Sequence, residues 1–446
     1  MTQKTARRTA TPLPRVPKLR VVVLNFNGGD LTLRCLRSVT ESLDGDVAAE
    51  IVLVDNASTD GVAERVGREM PGVRVIRSES NLGFAGGNNL ALADLDGVDL
   101  VALVNNDVTV PAGWLAPLVD ALRSDRLLGA ASPKMLFDGR YRTLELTTTA
   151  EPSRPADHRS RGIRLVDVTS GAGARATVRY ERGFYEPEQD GPFIARWSMP
   201  NAALFVEVQD DTRRPTPVEL LIDSESDKVV EAASGGQRTA LAIKRGRQRY
   251  EVTLDGDPFD LINNVGTELV DDGYGADRGW LEPDHGQHDT PADVFAWSGG
   301  AVLLRADYLR DVGVFDERLF LYYEDLELSW RGRRRGWRYR YVPLSVVRHT
   351  HAATAGQNPS LALYFNERNR LLVLARHASW RSLARGVVRY VAVSASYFRR
   401  DIVAPTLRRA RPSTGTMRTR VRAFGGFLLR APGQVRDRGL TDRSAR

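Results

Sequence analysis

One cysteine, Cys35, stands in 446 residues, so no internal disulfide can staple the fold and no cysteine-based zinc site can form. Any metal must be held by carboxylates and by some of the six histidines. Long apolar runs are also missing. No window approaches the roughly 20 apolar residues of a membrane-spanning helix, and the best stretch, Tyr390 to Phe398, is hemmed in by Arg389, Arg399 and Arg400. The basic, Pro- and Thr-rich start lacks the apolar core of an export signal, so residues 1–18 read as a disordered tail and the protein as cytoplasmic. Acids are scarce at the other end. From Arg376 onward 17 arginines face three aspartates, which puts +14 there within a net charge of +7. Arg381, Arg385 and Arg389 recur every four residues and would line one helical face. That suits an anionic lipid surface at the inner face of a membrane, and equally a plain solvated face. Nucleic-acid binding is disfavoured, because no stacking aromatics are spaced through the segment.

What is present is the composition of a globular protein, 42% hydrophobic and 27% charged. VVVLNF, IVLVD, VRVI and LVALV are unbroken apolar runs separated by segments of helical periodicity. This is the pattern of a mostly parallel sheet covered by helices on both faces. Ligands of such sheets sit beyond the C-terminal strand ends, where this sequence places Asn25 and Asn27, Asp55 and Asn56, and Asn105, Asn106 and Asp107. The rhythm stops near Asp138 and resumes near Val294. Between them, alternating runs such as ALFVEV, VELLID, TALAIK and YEVTLD read as an inserted antiparallel β-sandwich-like domain over 138–291. Its Trp197, Phe205 and Tyr250 are read as core packing in preference to sugar stacking. The expected division is therefore a tail at 1–18, an α/β domain from 19–137 plus 292–375, the insert, and a basic, partly helical and partly disordered region at 376–446. A helix is expected over Leu326–Arg335, followed by a strand that stops at Pro343.

Three constellations carry chemistry. Asn105-Asn106-Asp107 delivers a carboxylate to the sheet edge, where a hard cation could neutralise a diphosphate, although the same triplet also fits a turn. Glu324 and Asp325 open a helix after FLYYED's aromatic run. A carboxylate there is kept ionised by the helix dipole, as a cap or as a general base. His349 and His351 share one face of an extended chain, as metal ligands or as hydrogen-bonded side chains.

Taken together, VVVLNFNGGD, IVLVDNASTDG, NLGFAGGNNLAL, LVALVNNDVTVPAGWL, the long run from AWSGGAVLLR through FLYYEDLELSW to WRYRYVP, and VVRHTH followed by YFNERNRLLV resemble glycosyltransferase family 2. The flavour is that of its rhamnosyl- and galactofuranosyltransferase branch, whose Asp-X-Asp motif often reads Asn-Asn-Asp. The resemblance implies a GT-A fold and an inverting transfer from a nucleotide-sugar donor, with Mg²⁺ or Mn²⁺, to a glycan or lipid-linked acceptor in cell-wall or surface polysaccharide synthesis. Carried over residue by residue, it implies Asp325 as catalytic base and Asp107 with His349 as metal ligands, His349 matching better than His351. Asn25, Asn27, Asp55, Asn81, Gly83, Asn88, Asn105 and Asp107 would bind the donor. Trp297, Gly299, Gly300, Glu324, Arg368 and Asn369 would lie near the acceptor and diphosphate. Asn105 departs from the pattern by replacing its first aspartate. Two other readings are a sugar nucleotidyltransferase, which would need a basic glycine-rich loop that Asn27-Gly28-Gly29-Asp30 does not supply, and an inert carbohydrate- or membrane-binding scaffold. Intact Asp107, Asp325 and His349 argue against the scaffold.

Overall fold

The computed structural model describes residues 10–43, 47–150, 160–170, 173–209, 214–270, 273–350, 359–407, 409 and 412–443. They form two compact units, one from Met1–Leu136, Ile262–Trp280 and His285–Arg446, the other from Phe137–Leu261 and Leu281–Asp284.

The first unit is built on a ten-stranded sheet. Strands β1 (Lys18–Asn25), β2 (Ala48–Asp55), β3 (Val73–Arg77) and β4 (Leu100–Asn105) are parallel in the order β3-β2-β1-β4. Helices α1 (Asp30–Ser42), α2 (Val62–Glu69) and α3 (Gly83–Leu92) lie between them in the chain. The strand runs are unbroken because both faces are covered. Val21, Val23, Leu53 and Val104 pack with Leu33 and Leu36 of α1 and Val62 and Val66 of α2. Their neighbours Val22, Val52, Val54 and Leu103 pack with Ala85, Ala91 and Leu92 of α3. Alternate residues of one strand thus serve opposite layers. This is the expected α/β class.

After β5 (Val108–Thr109), α4 (Ala116–Ser124) and β6 (Leu128–Phe137) the chain enters the second unit. Its nine strands are β7 (Arg140–Thr148), β8 (Arg164–Ser170), β9 (Val178–Phe184), β10 (Glu188–Asp190), β11 (Phe193–Val208), β12 (Thr216–Ser224), β13 (Lys228–Ser234), β14 (Gln237–Ile243) and β15 (Gly246–Leu254). They form one sheet, β14-β13-β7-β11-β8-β12-β15, with β9 and β10 also on β11. The 16-residue β11 pairs with β7 through its second half and with β8 near its start. The sheet therefore has two arms, and Leu144, Leu204 and Val230 of one share a core with Leu165, Leu220 and Leu254 of the other. That is the sandwich-like arrangement read from the alternating pattern. Trp197 and Phe205 are buried, and Tyr250 packs partly buried on the core.

This unit's main run closes at Leu261, earlier than the 291 expected, because β16 (Ile262–Asn264) pairs with β6 in the α/β sheet. A hairpin of β17 (Thr267–Val270) and β18 (Tyr274–Asp277) follows. Then come β19 (Ala292–Val294), β20 (Ala301–Arg305), α5 (Ala306–Val312), α6 (Glu324–Arg334) and β21 (Arg338–His349). β20 runs antiparallel between β4 and β6. β21 does not stop at Pro343. The strand runs on through the proline, with residues before it paired to β19 and residues after it paired to β5.

Helices α7 (Pro359–His377), α8 (Trp380–Phe398), α9 (Ala404–Leu407) and α10 (Gly415–Arg443) complete the chain. The region expected to be partly disordered, 376–446, contains the long α10. Phe427 joins the core of Leu371, Leu372 and Leu374, and Arg420 is buried against Glu367 and Ser394. An arginine in a core is invisible to a compositional reading. Residues 10–17 are not a loose tail either. Ala10 is buried, the Thr11 N–H donates to Asp307, and Arg123 donates to the Arg15 carbonyl. Residues 1–9 lie outside the described residues.

Candidate active site

Parallel register sets Asn25 beside Asp55 and Leu24 beside Asn105, so three polar residues cap adjacent strands at one edge. Two of them also make hydrogen bonds within the fold. Asn25 is wholly buried; its Oδ1 accepts from Gly28 N–H and Thr32 Oγ, and its Nδ2 donates to Ser58 Oγ. Buried Asp55 accepts from the Ser58 N–H. Asn27, at φ 54°, accepts from the Thr59 N–H. Asn88 turns its amide to the Phe84 carbonyl within α3. These four organise the loops behind the site.

A cavity of about 490 Å³ opens at this edge, and Asn56, Asn81, Gly83, Asn105, Asn106 and Asp107 line one side of it. Asn56 fixes that wall by donating to Asn81 Oδ1 and the Gly83 carbonyl while accepting from Leu82 N–H. Gly83 sits at φ 70°, and a Cβ there would lie 2.3 Å from the Phe320 carbonyl oxygen. No side chain fits that approach. Beneath the edge, the Cys35 thiol donates to the Asn105 carbonyl, and burial with the Asp107 charge pushes it well above the usual thiol range.

Asp107 lies in the turn after β4, and pairing of His349 with Val108 brings the two side chains together. Asp107 Oδ1 and His349 Nε2 are 3.0 Å apart, and His349 Nδ1 is 3.0 Å from Asn263 Oδ1. With the Nδ1 proton given to Asn263, a neutral imidazole turns a lone pair toward the carboxylate. Two acceptors at that separation require a proton or a cation between them. About 3 Å is also the gap between neighbouring ligands of a cation with bonds of ~2.1 Å. The pair therefore fits a divalent metal that takes its remaining ligands from substrate and water. Among the described residues no group of three or more His, Cys, Asp or Glu side chains could hold a metal alone. His351 lies outside the described residues.

The opposite wall carries the acids. β20 begins beside Gly300, whose carbonyl accepts from Asn105 N–H at 2.9 Å, and Gly299 N–H donates to Asp325 Oδ2 at 2.9 Å. Burial pushes Asp325 up from the ordinary aspartate range, against the pull of the Gly299 and Leu326 amides. Glu324, 5% exposed, is raised further by burial and by the Asp325 charge, and its Oε2 has no hydrogen-bond partner among the described residues. Phe320, Tyr322 and Tyr323 all have positive φ, 66° to 71°. Three strained non-glycine residues before one helix need support from outside. Asn369 on α7 supplies it by donating to the Leu319, Leu321 and Tyr322 carbonyls, and Arg368 donates to those of Arg318 and Leu319. These two, expected near the diphosphate, are buried and hold the carbonyls of this loop. Trp297 is likewise wholly buried, packed edge-on to Phe315 beneath Ser298–Gly300.

The sequence reading missed one wall. Asn263, Thr267, Gly275, Asp277 and Trp280 line the same cavity, and they were hidden because 262–280 was taken as part of the insert. Asp277 Oδ1 accepts from Asn264 Nδ2 at 2.6 Å. Burial and then the Asp325 charge push Asp277 up to about 6, against Asn264, Thr267 and His349. Adjacent polar Asn263-Asn264 leaving an apolar run was the available signal.

The site is thus a strand-edge cavity with a cation-ready pair on one wall and paired acids on the other. Residues 20–178 match the family model described as Glycosyl transferase family 2, the family that the motifs resemble. The chain is 38% identical over 84 residues to the N-acetylglucosaminyl-diphospho-decaprenol L-rhamnosyltransferase of Mycobacterium tuberculosis, a stretch covering 19% of this chain and 27% of that relative. A pre-mycofactocin glycosyltransferase of the same species is 38% identical over 72 residues, 15% of each chain. The matches thus span well under a third of either relative's length. Solved structures with a similar trace include GalNAc-T7 with UDP, GalNAc and Mn²⁺ (TM-score 0.45, 14% identity, 86% of this chain and 51% of that one). Another is S. aureus TarS 1–349 (TM-score 0.40, 13% identity, 94% and 88%). At these scores they add nothing to the assignment.

Proposed function

We propose that this protein moves a sugar from a nucleotide diphosphate sugar, with UDP or dTDP as the nucleotide, to a glycan or lipid-linked acceptor, inverting the anomeric configuration and using Mg²⁺ or Mn²⁺. One observation carries this reading: Asp325 and the Asp107–His349 pair line a single cavity at the C-terminal strand edge. Asp325 accepts the proton of an acceptor hydroxyl as that oxygen forms its bond to the anomeric carbon. The bond from that carbon to the diphosphate oxygen breaks on the opposite face, and the nucleoside diphosphate leaves with the electron pair. A cation held by Asp107 and His349 would neutralise charge on the departing diphosphate. The strained loop at 320–323, pinned by Asn369, holds Asp325 in register with the acceptor.

The rhamnosyltransferase relative is named for a decaprenol-linked substrate, which supports a lipid-linked acceptor here. No described helix is long and apolar enough to cross a membrane. α8 nonetheless carries no acid, and it exposes Val388 and Val391 alongside Arg381 and Arg385. An apolar stripe flanked by arginines suits peripheral docking on anionic lipid, consistent with a place at the inner membrane face. Basic residues near such a surface contribute about 1 kcal/mol each. Replacing both Arg381 and Arg385 by Glu is therefore expected to weaken cosedimentation with phosphatidylglycerol vesicles by about 30-fold or more. Unchanged cosedimentation would remove the membrane from this proposal.

The central test is the thermal shift of the protein with UDP and with dTDP, with and without Mn²⁺. A ligand at about 100 times its Kd stabilises the folded state by ~2.7 kcal/mol, so a rise of several degrees is expected, dependent on metal and absent in Asp107→Ala. If neither nucleotide shifts the wild type, the reading is wrong.

A further inference from the structure

The 262–280 segment ties together two parts of the cavity that are far apart in sequence. Consecutive residues of β16 do the fastening: Asn263 meets His349 Nδ1 at 3.0 Å, and Asn264 Nδ2 donates to Asp277 Oδ1 at 2.6 Å, with Thr267 Oγ1 adding a second donor at 3.5 Å. Asp277 is thus oriented through one oxygen while the residue stays exposed to the cavity. It is electrostatically coupled both to Asp325, the base, and to His349, on the diphosphate side. In a single displacement the ring being transferred must lie between the base's acceptor and the leaving diphosphate. Trp280, 39% exposed, follows three residues later on the same wall. Glu324 Oε2, buried at that cavity without a hydrogen-bond partner among the described residues, is a further unmet acceptor.

We infer that Asp277 and Trp280 form the subsite for the transferred sugar ring, Asp277 accepting hydrogen bonds from ring hydroxyls and Trp280 covering an apolar C–H face. This rests on the glycosyl-transfer reading and names its sugar-discriminating side chains. A carboxylate has only acceptors, so it selects hydroxyl donors. An indole supplies a rigid apolar plate that an unsubstituted polar wall lacks. On this reading the two govern the sugar's share of donor affinity and leave the nucleotide's share alone.

The experiment is isothermal titration of the full chain with Mn²⁺ and UDP or dTDP, and with UDP-glucose, UDP-galactose, UDP-N-acetylglucosamine, dTDP-glucose and dTDP-rhamnose as probes. Wild type is expected to bind at least one of these sugar nucleotides more tightly than its parent nucleotide. Asp277→Asn and Trp280→Ala, each checked for a wild-type melting profile, should hold nucleotide affinity within about twofold and weaken that sugar nucleotide about tenfold, the size expected for loss of a hydrogen bond to a charged group in the first and of a ring contact in the second. The inference is overturned if both variants keep the full sugar increment, if both lose nucleotide and sugar nucleotide equally, or if wild type binds nucleotide with no sugar increment. Wild type that binds neither nucleotide overturns the glycosyl-transfer reading itself, and the subsite with it.

Discussion

Asp325→Asn is expected to lower kcat for sugar transfer by about 10² to 10⁴, the usual contribution of a positioned general base, while the protein remains folded. The substitution is isosteric, and an amide oxygen can still accept from Gly299 N–H, which Asp325 Oδ2 meets at 2.9 Å, while the Leu326 N–H, which Oδ1 meets at 2.7 Å, loses its acceptor. What is lost for catalysis is the ability to take a proton. Burial raises Asp325 above the ordinary aspartate value, so its basic form is populated only above the usual carboxylate range of about 4. The acid limb of the wild-type kcat/KM profile should therefore lie above that range. With Glu324 and Asp277 also raised, it belongs to the cluster and not to one residue. The stability sign runs the other way from the catalytic one. A raised carboxylate stabilises the fold fully below its unfolded pKa, and that contribution is lost as pH rises through the folded value. Asn carries no such loss, so the variant's melting temperature should gain on that of wild type as pH rises toward 7.5. Retention of transfer within about fivefold would exclude Asp325 as the base.

Glu327→Ala should act on stability, by about 3–5 kcal/mol, the cost of leaving buried partners of an ion pair uncompensated. Glu327, two residues after Asp325 and 1% exposed, accepts from Arg331 at 2.7 Å and from His377 at 2.9 Å, with Arg376 at 3.0 Å. Arg331 also donates to the Val312 and Val314 carbonyls, so removing the carboxylate leaves its buried guanidinium without a counter-charge, while Arg376 keeps Asp316 at 2.9 Å. Despite burial, Arg331, His377 and Arg376 hold Glu327 far below the glutamate range. Its contribution is present above an unfolded value of about 4.3 and is lost as pH falls through the folded one. Against a total stability of roughly 5–15 kcal/mol, the expected change is a large fraction, readable as a drop in the urea midpoint at pH 7 whose size shrinks in acid. A loss under about 1 kcal/mol would show that the cluster is dispensable.

Much of the α/β unit was legible because its cause is local. Runs such as VVVLNF and LVALV are apolar at every position only when both sheet faces are covered, and the polar residue ending each run marks the binding edge. Asp107, Glu324, Asp325 and His349 were legible as chemistry-bearing residues, and the structure brings all four to one cavity. Asn25, Asp55 and Trp297 show the limit. Each was identified by position in a motif, yet the Ser58 hydroxyl that meets Asn25 and the core that encloses Trp297 come from segments distant in sequence.

The sequence by itself determined the element types, the parallel half of the sheet and the edge where chemistry gathers, since hydrophobic period and strand-end polarity are properties of neighbouring residues. Only the tertiary structure decided which carboxylate faces which partner, that residues 262–280 leave the insert to wall the cavity, and that an arginine-rich terminal helix buries Arg420 against Glu367. The reason is physical: the desolvation that raises Asp325 and the charges that depress Glu327 come from residues up to about fifty positions away, and no local pattern encodes which of them will arrive.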